Sequence, residues 1–485
     1  MKYDIIIIGG GLGGLTAGAK LSKEGKKVLL IEQHDRPGGC ATTFSRGDYI
    51  MEVGLHEMDG LHPADLKTKI FNDLDIFSKV EFLRVPEFYR FFNGRHDVVI
   101  PHDPAEAKDI LKNEFPAEKE GIDKYFEHVL NARRIVAGSR GKKDISIGEF
   151  LDEIIREEDL KLILLGNLGY FHDDPYTLSY YYYLNAQGSY YRGRANFVKG
   201  GSQKLSDALM QTIQENGGEV KLKHLVTSII PGNENISEVK YKTKGSASDT
   251  FTDSAGEIIV SSSLPALTSG ILPQGEGNRL GEAIKNIETG ASLLTVYYGF
   301  KPDLKEAGNK YYSTFLFDES IRKQSDIKTN NHADFDKRSF TFVDYSQVDS
   351  ALAPEGRGVG AACCVDYPED WDSLSREEYS EKKEMVAGKI TTRLDMLIPG
   401  FKESADHIEV GTSLTVKRYT LNSRGAVYGF AQNPGKSNEY LGALPGNIHI
   451  ASAWGKFGGG FSGAIYSGYM TAMEVLRKDT RKDKR

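Results

Sequence analysis

Three glycines in G-x-G-x-x-G spacing, Gly9, Gly11 and Gly14, followed by a carboxylate at Glu32, are the residues here whose types and spacing point most directly to chemistry. Gly9 permits a tight turn and Gly11 lets backbone N–H groups approach a pyrophosphate. Gly14 lets the next helix pack closely, so that its N-terminus, with Leu12 and Gly13 in the turn, faces phosphate charge. An acid about 20 residues beyond the central glycine accepts hydrogen bonds from a ribose hydroxyl pair, and Glu32, followed by Gln33, stands there. The elements that must position these residues are legible too. Asp4 to Ile8 is a short β-branched run that reads as a buried parallel strand. Leu15 to Glu24 has apolar residues at helical spacing and stops at Gly25, and Lys27 to Ile31 is a second strand. Strand, turn, helix, strand and acid together predict a dinucleotide site.

Further residues extend that site. Gly38 and Gly39 offer bare backbone to a phosphate or sugar chain, and Thr42 and Thr43 add hydroxyls. Cys40 reads either as a thiol at the cofactor or as a small residue packed under it, and free cysteine usually packs as a small apolar group. Gly54 and Leu55 follow a short alternating strand, and His56 comes next. That histidine is either a proton donor or orienting group at a reactive edge, or a hydrogen-bonded structural residue. Val226 offers a backbone edge to an adenine. Near the C-terminus, Trp454 and the run Gly459, Gly460, Phe461 lead into a helix read from Ser462 to Leu476. Its first N–H groups are expected to point at a flavin ring and stabilise negative charge at N1 and O2, with Trp454 and Phe461 walling that ring.

A length of 485 residues suits two to four domains. A net charge of -7 argues against a nucleic-acid binder. The three cysteines, Cys40, Cys363 and Cys364, form no C-x-x-C pair, so neither a disulfide scaffold nor a zinc or dithiol motif is indicated, and no metal site is expected. With the first strand starting at residue 3, no export segment is expected, and no apolar run approaches the ~20 residues that span a bilayer. The simplest expectation is a cytoplasmic protein able to rest on a membrane surface; the basic tail RKDTRKDKR reads either as a solvated end, the more common case, or as a contact for anionic lipid headgroups.

The fold class expected is α/β, with a Rossmann-type cofactor domain assembled from non-contiguous segments, 1–75, 195–265 and 405–485. A substrate domain from 76–194 and 266–404 carries a mixed sheet and a helical lid. Residues 104–165 read as helices, and a helix is predicted from Arg376 to Leu397. After Gly200-Gly201, Ser202 is expected to cap another helix. A tyrosine cluster, Tyr170, Phe171, Tyr176, Tyr180 to Tyr183, Tyr190 and Tyr191, reads either as the wall of an apolar tunnel or as ordinary core; most of its members read as core. Cys363 and Cys364 lie in one strand and read as structural.

The chain resembles the phytoene desaturase, carotenoid isomerase and retinol saturase superfamily. The segments that carry this are GGGLGGLTAGAKLSKEGKKVLLIEQHDRPGGCATTF, VGLHEMDGL, NEFPAEKEGIDKYF, FVKGGSQKLSDAL and GGGFSGAIYSGYMTAMEVL. The resemblance implies non-covalent FAD and a long apolar polyene or isoprenoid substrate drawn from a membrane. It implies desaturation, saturation or cis–trans isomerisation of C=C bonds through flavin N5. One departure is Ala451-Ser452-Ala453, where many FAD proteins place an acid beside the ribityl chain. With one dinucleotide fingerprint, a separate electron donor or acceptor is needed. The alternatives are a flavin amine oxidase and a polyene-binding flavoprotein without enzymatic activity.

Overall fold

The structure, a computed structural model, describes residues 2–139, 141–232, 236–246 and 248–482. The last residues of the basic tail, 483–485, lie outside them. The β-branched run near the N-terminus forms the strand Tyr3–Ile8. It pairs in parallel with Val28–Ile31 on one side and with residues 255–260 of the strand Thr250–Val260 on the other. Glu219–Lys221 extends the sheet beyond Val28–Ile31, and Ile448–Ile450 runs beside residues 258–260. Two ends and the middle of the chain thus build the parallel part of one sheet, which Ser237–Thr243 and His224–Pro231 continue antiparallel beyond Thr250–Val260. All four residues of Val28–Ile31 are buried, as expected for a strand covered on both faces.

The first helix, Leu12–Lys23, packs between Gln203–Glu215 and the C-terminal helix Gly460–Lys482. Glycine makes the second contact close. A Cβ on Gly13 would lie 1.9 Å from the Ala451 carbonyl oxygen, and one on Gly468 would lie 2.2 Å from that of Gly13. The N-terminal nucleotide turn and the C-terminal segment are therefore in backbone contact.

A second, mixed sheet runs in the order Ala405–Gly411, Ser292–Phe300, Gly358–Asp366, Phe340–Asp344, Ser313–Leu316, Tyr89–Phe92, Asp97–Ile100. Only Ser313–Leu316 and Tyr89–Phe92 pair in parallel among these strands. The helix Arg376–Leu397 forms with its expected bounds, opened by a Ser375–Glu378 capping box. It packs on one face of this sheet, against Leu294, Val296 and Tyr298. Two sequence expectations need correction. Residues 405–411 were placed with the cofactor half, yet they pair antiparallel with Ser292–Phe300. Gly358–Asp366 and this strand both pair antiparallel with Ser292–Phe300, so they run parallel to each other, and the long helix between them is the crossover that a parallel arrangement requires.

The second correction concerns Ser202, which does not cap its helix with its side chain. Its N–H and hydroxyl instead donate to Glu52, each at 2.7 Å, and Glu52 also accepts the Leu55 N–H at 3.0 Å. Glu52 is 1% exposed, and burial pushes its carboxyl up to about 7 despite those donors. Among the described residues no helix is long and apolar enough to cross a membrane, and no group of His, Cys, Asp or Glu could hold a metal ion.

Candidate active site

A cavity of about 1290 Å³ runs from the edge of the parallel sheet to the inner face of the second sheet. Its first part collects the predicted cofactor residues. Gly9, Gly11, Leu12 and Gly13 line it from the N-terminal turn, Glu32 and Gln33 from the second strand's end, and Gly38, Gly39, Cys40 and Thr42 from the loop beyond. Gly54, Val226, Trp454, Gly459, Gly460, Phe461 and Ser462 complete it. Gly14 lies beneath, where its N–H donates to Ser261 Oγ at 2.9 Å. Leu55 is not a lining residue; it is fully buried in the core.

Glu32 is 6% exposed and fixes the turn, Oε2 accepting the Gly10 N–H at 2.6 Å and Oε1 that of His34 at 2.8 Å. The second glycine pair folds onto the first: Gly38, at φ +126°, donates its N–H to the Gly10 carbonyl at 2.7 Å. A Cβ on Gly39 would meet Gly11 Cα at 3.4 Å. No side chain caps the first helix. The Ser262 hydroxyl in the wall is buried without a partner. Bare backbone, an uncapped helix start and an unsatisfied hydroxyl as donors, with a carboxylate as acceptor at the ribose position, are what FAD needs, and the residues fit it.

Several side chains are already engaged. Thr42 Oγ1 donates to Gln203 Oε1 at 2.5 Å, and Gln33 Nε2 to the Tyr419 carbonyl at 3.2 Å. Burial pushes the Cys40 thiol up to about 11, so it stays protonated and packs as a small residue. Trp454 is 2% exposed, sets its ring edge-on to Phe430 and donates its indole N–H to Asn422 at 3.3 Å. It is mainly a core residue, whereas Phe461 is half-buried in the wall.

The second part of the cavity is apolar. Alternate residues of neighbouring strands face it: Leu293, Thr295 and Tyr297, then Cys363 and Val365, then Thr341 and Phe315. The helical region contributes Tyr170, Phe171, Tyr182 and Tyr190. Of Tyr180 to Tyr183 only Tyr182 lines it. The Tyr180 hydroxyl lies 2.5 Å from His128 Nδ1, and Tyr183 donates to the Leu164 carbonyl at 2.6 Å inside the helical layer. Four consecutive residues of the helix Tyr180–Gly193 point in four directions and cannot share one wall.

His56 lines the junction of the two parts, 8% exposed, with Nδ1 3.2 Å from the Tyr170 hydroxyl. Burial lowers its pKa to about 4, so near neutral pH it is a neutral hydrogen-bonding group. Two features escaped the sequence reading. Glu57, beside His56, lines the same wall. Lys67, fully buried, donates to Ser462 Oγ at 2.6 Å in the first turn of the C-terminal helix and contacts Asp59 Oδ1 at 3.1 Å. The acids crowded into LHEMDG were a signal for both, but nothing in the sequence pairs residue 67 with residue 462.

A family profile described as flavin containing amine oxidoreductase matches residues 12–476. The chain belongs to that family. Its cofactor is FAD, and it is a flavoprotein oxidoreductase. Curated relatives are similar along most of this chain. A prolycopene isomerase of Daucus carota is 27% identical over 455 residues, 87% of this chain and 71% of the relative. An all-trans-retinol 13,14-reductase of Danio rerio is 23% identical over 495 residues, 88% of this chain and 77% of the relative. A solved oxidoreductase of Methanosarcina mazei shares the fold at a TM-score of 0.67 and 16% identity, covering 97% of this chain and all of that one.

Proposed function

We propose that this flavoprotein acts on C=C bonds of a long apolar polyene, of carotenoid, retinoid or other isoprenoid type, by desaturation, saturation or cis–trans isomerisation. The observation that carries this reading is one continuous cavity, with a glycine cradle for FAD at one end and an apolar, aromatic-walled extension at the other. Bound FAD supplies hydride or electron exchange with carbon. The protein's own groups align the chain and exclude water: Tyr297, Phe315, Phe171 and Tyr182 enclose it, and neutral His56 and Tyr170 form a polar pair at the junction. The relatives that work on prolycopene and on retinol support this substrate class. A separate donor or acceptor exchanges electrons with the cofactor.

The test is mass analysis of a polyene panel after incubation with the protein in oxidised and reduced states. Loss of two hydrogens identifies a desaturase, gain a saturase, and unchanged mass with altered retention an isomerase. Unaltered polyenes, together with peroxide formed from an amine, would overturn the reading in favour of amine oxidation.

Membrane uptake belongs to the same proposal. Leu66 and Phe457 line the cavity yet are 36% and 39% exposed, and Arg133 lines it as well. Phe457 contacts Tyr466 edge-on, Tyr466 lines the same cavity, and Arg133 is paired with the buried Asp65. Such an apolar rim with a cationic side chain suits the lipid–water boundary. Changing Leu66 and Phe457 together to aspartate is expected to slow polyene transfer from anionic liposomes about tenfold, on the apolar transfer energy of two partly exposed side chains. FAD content and melting temperature are expected to stay unchanged. Wild-type transfer rates in the double variant would remove this mouth from the proposal.

A further inference from the structure

Glu57 is 8% exposed, lines the cavity between His56 and Met58, and has no hydrogen-bond partner for either carboxyl oxygen. The acids around it are occupied. Glu87 Oε1 accepts the N–H groups of Tyr312 and Ser313 at 2.6 and 3.2 Å, and Asp59 is paired with Lys67. Burial, followed by repulsion from Glu87 and Asp59, drives the Glu57 carboxyl well above the ordinary carboxylate range. This favours the neutral carboxyl, which offers one O–H donor and a free acceptor, in a region where Tyr89, Tyr170, Tyr190 and Tyr312 feel its charge. A buried polar group left unsatisfied costs stability, and a leucine would fill this place without that cost. A residue that weakens the fold where it lines a ligand cavity is explained by a ligand group that completes its hydrogen bonds.

We propose that Glu57 anchors a neutral oxygen function, a hydroxyl or carbonyl, on the polyene, so that the preferred ligand is an oxygenated polyene and not a pure hydrocarbon. A carboxylate end is disfavoured, because it would meet the charges of Glu87 and Asp59. This inference rests on the polyene reading above and narrows it.

The experiment titrates the FAD-loaded protein with a conjugated hydrocarbon, the alcohol and aldehyde of the same chain length, the corresponding carboxylate and a long-chain amine. Binding is followed by polyene absorbance and tryptophan quenching. The alcohol and aldehyde are expected to bind about tenfold more tightly than the hydrocarbon, the effect of one buried hydrogen bond. Glu57→Leu is expected to abolish that preference, keep hydrocarbon binding and raise the melting temperature. Glu57→Gln, which retains a donor and an acceptor, is expected to keep most of the preference. Equal binding of hydrocarbon and alcohol by the wild-type protein would overturn the anchor and leave the polyene reading standing. Tight binding of the amine alone, lost in Glu57→Gln, would overturn both.

Discussion

Gly13→Val is expected to yield a colourless, poorly stable protein. The Cβ alone would lie 1.9 Å from the Ala451 carbonyl oxygen and 2.7 Å from its carbon, with the Ala464 carbonyl 3.3 Å away on another side. These are backbone atoms, so no side-chain rotation relieves the overlap. The first helix must move off the C-terminal segment, and the cleft that holds FAD between them opens. Overpacking of this kind costs about 3 kcal/mol or more. The measurements are the flavin-to-protein absorbance ratio after purification and the urea midpoint. Gly10→Ala is the contrast: its Cβ would meet only the Glu32 side chain, at 3.2 Å or more, and that side chain can yield. A smaller loss, about 1 kcal/mol, is expected there. A Gly13→Val protein that purifies yellow with a wild-type midpoint would show that the two ends of the chain do not grip the cofactor jointly.

Lys67→Met is expected to destabilise the fold by about 3–5 kcal/mol, because it leaves a buried carboxylate without its counter-charge. Burial by itself would push the Asp59 carboxyl up. The Lys67 ammonium and the hydroxyls of Ser189 and Ser462 outweigh burial and hold it below its ordinary value. In the wild type the stability this confers is present above the unfolded carboxylate pKa and is lost as pH falls through the folded one. In Lys67→Met the sign reverses: Asp59 titrates above its unfolded value and penalises folding wherever the unfolded carboxyl is ionised. The destabilisation is therefore greatest near neutral pH and shrinks as pH falls toward about 4, the usual carboxylate range. Urea titrations at several pH values measure this, and Asp59→Asn on the same background is expected to restore most of the loss. A pH-independent difference between wild type and Lys67→Met would refute the pairing.

The cofactor half was largely legible without coordinates. Buried parallel strands need unbroken β-branched runs, the phosphate turn needs glycine at set intervals, and the ribose acid follows one strand later; each requirement is local and writes itself into a short stretch such as 4–32. The helix Arg376–Leu397 was legible for the same reason, its cap and apolar spacing lying within its own sequence. Sheet membership at an edge was less so, since Ala405–Gly411 alternates like any half-buried strand and its partner is chosen by which edge lies within reach.

The amino-acid order alone thus determined the strand, glycine turn and helix of the N-terminal segment, because backbone conformation and periodic burial are set by neighbours. Tertiary structure alone decided that Tyr182 faces the cavity while Tyr180 and Tyr183 do not, that Glu52 replaces the cap of Ser202, that Lys67 meets a serine 395 residues away, and that Glu57 meets no partner. Charge pairing and desolvation act through space between residues remote in sequence, so they exist only once the chain has folded.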